Sequence, residues 1–347
     1  RLALIVIGAI FAASASVAQD MEKIAAEWAA SAHAKADAEA FTHWDDEGEI
    51  PASCAMCHAG AGFRDFYGLD GSSAGAIDAV VETGGVIDCD TCHAPGTEAI
   101  TQVRFPSGLT IAVDPANAAC STCHQGRVGG MRIEEATAAG DPDTVDPELS
   151  FMNPHYKAAA ATLMGHTANG LYQYMGRNYV GAFEHAAGLD NCTACHSPHS
   201  LEVDEAACTE CHGDRPVGAI RARQVDWDGD GDVTVGVSVE IEALRQRLGE
   251  AIKTYAGDVV GAPVAISGSA YPYFFADTNG DGQAGDDEAI YPNRYASWTP
   301  RMLRAAYNYQ FVSKDPGAFA HNPRYAIQAL YDSIEDLGGD VSGLVRP

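Results

Sequence analysis

Cys192-Thr193-Ala194-Cys195-His196-Ser197-Pro198-His199 sets two thiols and two imidazoles within eight residues, and the pattern of its first five residues recurs four more times. The other copies are Cys54-Ala55-Met56-Cys57-His58, Cys89-Asp90-Thr91-Cys92-His93, Cys120-Ser121-Thr122-Cys123-His124 and Cys208-Thr209-Glu210-Cys211-His212, and together they use all ten cysteines of the chain. Two thiols three residues apart with a histidine directly after them are the attachment signature of c-type haem. The sulfurs add across the two vinyl groups and the imidazole reaches the iron. A disulfide scaffold does not call for a histidine after every second cysteine. Zinc ribbons use the C-x-x-C half alone, and redox dithiols occur singly beside a βαβ pattern. Five copies out of five followed by histidine decide for five covalent haems c.

The sixth position on each iron separates electron transfer from substrate chemistry. Of 12 histidines, five close the motifs and seven remain: His33, His43, His155, His166, His185, His199 and His321. Five distal ligands are needed if every haem is bis-histidine. His199 follows a proximal ligand too closely to swing back onto the same iron, so it is expected to serve a neighbouring haem. His43 precedes the first motif, His155 opens an Ala-rich stretch, His185 shortly precedes the fourth motif, and His321 would tie the C-terminal region to the haems. His33 and His166 are the surplus pair, with His33 a rival of His43 on one expected helix from Met21 to Phe41. Methionine is the alternative ligand, but Met56 lies inside a motif. Histidine throughout implies low-spin haems of low potential.

The motifs begin at residues 54, 89, 120, 192 and 208, and the last two are so close that their haems must lie near one another. Short strand-like runs such as Leu109 to Val113 and Gly/Pro loops separate the first three, and Asp141 to Glu148 reads as an acidic linker. From Gly213 onward there is no motif. There the apolar spacing predicts a helix over Glu240 to Tyr255, with Ile241, Leu244, Leu248, Ile252 and Tyr255 on one face. Thr299-Pro300 opens a second helix to about Phe311. Asn322-Pro323 opens a third, with Ile327, Leu330, Tyr331 and Ile334 inward. The expected fold is mainly α and irregular with few short strands, organised around packed haems. Its expected regions are 1–19 (signal), 20–212 (haem-binding) and 213–347 (haem-free). The signal reading rests on the apolar run Leu2 to Ala12 and the small residues Ser16 and Ala18 before Gln19. No later segment reads as a membrane span.

A net charge of −27, from 48 acidic against 21 basic residues, repels nucleic acid and favours basic partners. Some of that charge is organised. Asp277, Asn279, Asp281, Gln283 (through its carbonyl) and Glu288, with Gly282 at the turn, fit positions one, three, five, seven and twelve of a calcium loop. Asp226 to Asp232 has the first half of such a loop, but Val237 stands where the last ligand belongs and Glu240 comes three residues later.

The motif string resembles the multihaem c-type cytochromes of bacterial respiration. The tail, Trp298-Thr299-Pro300-Arg301-Met302-Leu303-Arg304-Ala305-Ala306-Tyr307-Asn308-Tyr309-Gln310 with Asp315-Pro316-Gly317-Ala318-Phe319-Ala320-His321-Asn322, is similar to the C-terminal region of a group of exported polyhaem cytochromes. The resemblance implies covalent haem c, a periplasmic or cell-surface location, electron relay, and distal-ligand roles for His199 and His321. A carrier that exchanges electrons with redox proteins or extracellular acceptors is therefore expected ahead of a catalyst. The rivals are a reductase of nitrogen or sulfur oxyanions with one open iron, and a self-assembling filament subunit joined through a surplus histidine. Intact mass spectrometry of protein matured in a cytochrome c-competent host should show five haem masses. Replacing both cysteines of one motif by alanine should remove one; four or fewer on the unaltered chain would break the count.

Overall fold

The computed structural model describes residues 20–347; the expected signal segment lies outside them. The described chain is mainly helical, with long irregular stretches and three two-stranded antiparallel pairs, as the sequence predicts. It divides into two units. The first holds residues up to 101 together with 113–119 and 186–207, and the second holds 102–112, 120–185 and 208–347. Motifs one, two and four fall in the first, motifs three and five in the second.

The first unit is built from short pieces. Helix 20–30 is followed by a turn at Ala32–Ala34 and a short helix at Glu39–Thr42. The single helix expected from Met21 to Phe41 is therefore broken. Ala-rich propensity loses to two long-range hydrogen bonds. Trp28 Nε1 donates to the Ile87 carbonyl at 3.0 Å, and the Ile87 amide donates to the His33 carbonyl at 3.2 Å. Glu49–Ile50 pairs with Val81–Glu82. Helices Ala52–His58 and Gly60–Phe66 pack so closely that a Cβ on Gly62 would strike the Ala55 carbonyl. One apolar cluster holds Ile50, Ala55, Ala59 and Val81, with Trp44, Cys54 and Ile77 partly buried against it, and Phe41, Phe63, Ile87 and Ile100 are also buried.

The second unit has a conventional core. Helix Val237–Tyr255 buries Ile241, Leu244, Leu248, Ile252 and Tyr255, on the face the spacing predicted. It packs against helices Pro300–Ser313 and Pro323–Asp336, whose Met302, Leu303, Phe311, Ile327, Leu330 and Ile334 are essentially inaccessible; Tyr331 is only half-buried. Each of the two later helices starts as the sequence proposed. Thr299 Oγ1 accepts from the Met302 amide at 3.2 Å, Asn322 Oδ1 accepts from the Tyr325 amide at 3.2 Å, and proline occupies the first turn of both. The stretch expected to be a linker, Asp141 to Glu148, is instead pinned. Asp143 accepts from Arg301 Nε (2.6 Å) and Tyr255 OH (2.7 Å), and the Asp146 amide donates to the Trp298 carbonyl.

Residues 163–183 have little regular structure beyond a short turn, and the bundle's polar side chains replace a sheet partner. Buried Asn308 brackets Tyr172, accepting from its amide at 2.8 Å and donating to its carbonyl at 3.0 Å. Tyr307 OH is 2.7 Å from both the Gly170 and Val128 carbonyls. Gln328 Oε1 takes the Val180 amide at 3.0 Å and Asn322 Nδ2 reaches the Gly181 carbonyl at 3.0 Å. Buried backbone groups thus find partners without a ladder. Thr299 is fully buried and also lies 3.2 Å from Tyr255 OH. Thr299→Ala should therefore lower unfolding free energy by about 1–2 kcal/mol, while Thr299→Ser should retain most of it; thermal unfolding followed by circular dichroism checks both.

Candidate functional site

Four attachment motifs lie in helices or close them: Ala52–His58, Cys89–His93, Pro115–Cys123 and Glu205–His212; in the fourth motif a 3₁₀ turn covers Cys192–Ala194. One helical turn sets residues three apart on the same face, so each pair of thiols points one way. The helix of the second motif is capped by Asp88, whose Oδ1 accepts from the Thr91 amide (3.0 Å), the Thr91 hydroxyl (2.9 Å) and Arg64 Nη1 (2.6 Å). The ten cysteines are half-buried or exposed. That is the placement of sulfurs that meet a group outside the polypeptide core.

Two motif histidines face a second histidine. The His93 and His199 ring centres are 6.2 Å apart with planes 21° from parallel, and those of His185 and His212 are 6.1 Å apart at 63°. An imidazole nitrogen lies about 2.0–2.1 Å from a metal it binds and about 1.1 Å from its own ring centre, so two rings facing each other across one ion stand roughly 6.2–6.4 Å apart. Both separations are close to that distance. A third approach is made by backbone. The Arg127 amide donates to the Pro154 carbonyl and the Ala160 amide to the His124 carbonyl, which lays the His155 segment along the third motif. His155 itself has φ 73°, with its amide on Asn153 Oδ1 at 3.1 Å.

The hydrogen bonds at Nδ1 carry further information. His58 Nδ1 is 2.7 Å from the Ala40 carbonyl, His196 Nδ1 3.4 Å from the Leu201 carbonyl, and His166 Nδ1 2.7 Å from Gln173 Oε1. His43 Nδ1 lies 2.9 Å from Glu39 Oε1, and His321 Nδ1 lies 2.8 and 3.0 Å from the two oxygens of Asp315. Carbonyl and carboxylate oxygens only accept, so Nδ1 carries a proton in each case. Burial pulls the His321 pKa down, but the hydrogen bond and charge of Asp315 outweigh it and the net shift is upward. Burial alone lowers His33. His43 remains mostly exposed and edges onto Trp44, which also edges onto His58. His166 is exposed.

The acidic loops share a turn pattern. Asp277 accepts from the amides of Gly280 and Gly282, and Asp226 from those of Gly229 and Gly231. Asp277, Asp281 and Glu288 each bring an oxygen within 4.8 Å of the others, as do Asp226, Asp228 and Asp230. Asn279 Oδ1 takes the Asp281 amide at 2.8 Å and Asp281 Oδ1 the Gln283 amide at 2.8 Å. Buried Glu288 closes the first loop by accepting from the Thr278 amide and hydroxyl, which hold its pKa below the ordinary glutamate range. Sequence spacing put Glu240 out of register in the second loop. In space it takes the corresponding place, accepting from the Trp227 amide at 2.8 Å, but its other oxygen is paired with the buried guanidinium of Arg221. Burial also pushes Asp228 up to about 6.

Sequence reading singled out His199 and His185 but not their partners, because pairing is a tertiary property. It also passed over Asp315, which no motif marks, and Lys314. The Lys314 ammonium sits 4.1 Å from the ring centres of both Tyr156 and Tyr273, and burial brings its pKa down to about 8.

Repeated thiol–thiol–imidazole turns, two of them with a second imidazole nearby, are the arrangement that attaches c-type haem. Over 85% of its length the chain is 26% identical to the C-type polyheme cytochrome OmcB of Geobacter sulfurreducens, in an alignment of 368 residues. It is also 26% identical, over 375 residues and 86% of its length, to the C-type polyheme cytochrome OmcC of the same species. The alignments cover 45% and 44% of those proteins, so the chain spans about half the length of the curated relatives it matches. No protein-family profile matches the sequence, and no solved structure matches it. The similarity supports a multihaem electron-transfer role. Among the described residues, no helix is long and apolar enough to cross a membrane.

Proposed function

We propose that this chain is an exported pentahaem electron carrier in which every iron is bis-histidine. Residues 20–212 hold the haems and residues 213–347 hold none. The observation that supports the reading is the closeness of His93 to His199 and of His185 to His212, whose ring centres are 6.2 and 6.1 Å apart, near the separation of two imidazoles on one metal. Bound haem c supplies one-electron iron chemistry. The chain's own residues would do the rest: ten thiols would anchor the haems, and the five motif histidines together with His43, His155, His185, His199 and His321 would hold the irons. Nδ1 hydrogen bonds would orient the rings that make them. Two histidines to each iron would leave none open to a substrate. Electrons would therefore pass to and from redox proteins or extracellular acceptors, with the acidic surface favouring basic ones.

The oxidised protein should be entirely low-spin by electron paramagnetic resonance, and the reduced protein should bind carbon monoxide poorly. His199→Ala or His185→Ala should each produce one high-spin, carbon monoxide-reactive haem, whereas His166→Ala should produce none. A native high-spin signal from about one haem in five would overturn the carrier reading in favour of an enzyme.

We also propose that Asp277, Asn279, Asp281, the Gln283 carbonyl and Glu288 hold a structural calcium ion. Three carboxylates confined within 4.8 Å repel one another, and among the described residues no lysine or arginine pairs with Glu288. Chelation should lower the melting temperature, and Glu288→Gln should weaken calcium binding by about tenfold or more by removing the bidentate carboxylate. A melting curve of metal-free protein that calcium leaves unchanged would reduce the loop to a turn.

A further inference from the structure

Of the histidine contacts described above, one differs in kind. His58 and His196 give their Nδ1 protons to backbone carbonyls. His43 gives its proton to Glu39, but both side chains are largely exposed, at 58% and 85%, so water screens the charge. His321 alone gives its proton to a buried carboxylate. Asp315 is 3% exposed, and its two oxygens straddle Nδ1 at 2.8 and 3.0 Å.

The segment between them is shaped to hold that contact. Asp315 Oδ1 also accepts from the Gly317 amide at 3.2 Å, which locks the carboxylate in place. The His321 amide returns to the Gly317 carbonyl at 2.9 Å. The imidazole lies over Gly317 so closely that a Cβ there would come within 2.6 Å of Cε1. Any other residue at 317 would push the ring off its carboxylate. Carboxylate, glycine and histidine thus form one unit within Asp315-Pro316-Gly317-Ala318-Phe319-Ala320-His321.

A buried carboxylate on Nδ1–H gives the imidazole part of the character of its anion and makes Nε2 a stronger donor. Stronger donation from an axial ligand stabilises the oxidised, more highly charged iron and lowers its reduction potential. We infer that Asp315 is a positioning and tuning residue for the haem ligated by His321, holding its potential below the value an uncharged partner at Nδ1 would give. This inference rests on the proposed ligation by His321, and the variants separate the two claims.

The experiment is a spectroscopically followed redox titration of the full-length holoprotein, alongside low-temperature electron paramagnetic resonance. Asp315→Asn keeps an acceptor for the Gly317 amide and for Nδ1–H but removes the charge. It should leave five low-spin haems, raise the potential of one of them by at least tenfold in its reduced-to-oxidised ratio (about 59 mV for a one-electron couple), and change the g-values of one low-spin signal. Asp315→Glu should restore the wild-type titration in part, which a purely structural role would not require. His321→Ala should make one haem high-spin. If His321→Ala does so while Asp315→Asn leaves all five potentials in place, the tuning role is wrong and the ligation stands. If His321→Ala leaves every haem low-spin, the ligation is wrong and the tuning role falls with it.

Discussion

An imidazole that gives its Nδ1 proton to an oxygen has one nitrogen left, aimed away from that oxygen, and the aim is set by whatever holds the oxygen. Much of this chain acts as a device for holding such oxygens. The Ala40 carbonyl that receives His58 lies in the short helix Glu39–Thr42. The Leu201 carbonyl receives His196 within the Cys192–Asp204 loop, which is closed by the His196–Val203 bridge and by the Asp204 amide on the Cys195 carbonyl. None of these segments is long enough to be stable alone. They cohere through several weak contacts that together fix the direction of the ring.

The two units cohere by different means. The second has a three-helix bundle of leucine, isoleucine and aromatic side chains, and it grips the irregular 163–183 stretch through Asn308, Gln328 and Asn322. The first has two-residue strands, short helices and an apolar cluster in which two of four buried members are alanines, with Phe41, Phe63, Ile87 and Ile100 buried besides. Haems on its six thiols would add large apolar surfaces to those short pieces.

Local chemistry was legible in the sequence and tertiary choice was not. The helix over Val237–Tyr255 was readable because its apolar residues recur at helical spacing, and the starts at Thr299 and Asn322 because a capping side chain beside proline acts within three residues. The break near Ser31 was not readable, since it is imposed by Trp28 and Ile87 across some sixty residues of chain. For the same reason His199 could be nominated as a ligand but not matched to His93. Asp315 was invisible because a carboxylate six residues before a histidine marks nothing until a turn at Gly317 folds one onto the other. Counting leaves Glu240 three residues out of register, and only the fold brings its carboxylate to the Trp227 amide as Glu288 comes to the Thr278 amide.

That last comparison shows how one acidic turn can be stabilised in two ways. Asp226 and Asp277 organise their loops identically, each accepting amides three and five residues ahead. The repulsion among the carboxylates is the same problem in both. At Glu240 the chain supplies its own cation: the Arg221 guanidinium is almost wholly buried against it and also reaches the Val235 and Val225 carbonyls. Removing one member of such a buried pair is costly because the other charge is stranded, so this loop is committed to its internal counter-ion. At Glu288 hydroxyl and amide donors satisfy the carboxylate without neutralising it. Hydrogen bonds of that kind hold a carboxylate ionised, and an ionised cluster favours a cation. The difference between the loops therefore lies in the partner of the closing carboxylate, a guanidinium at Glu240 and hydroxyl and amide donors at Glu288.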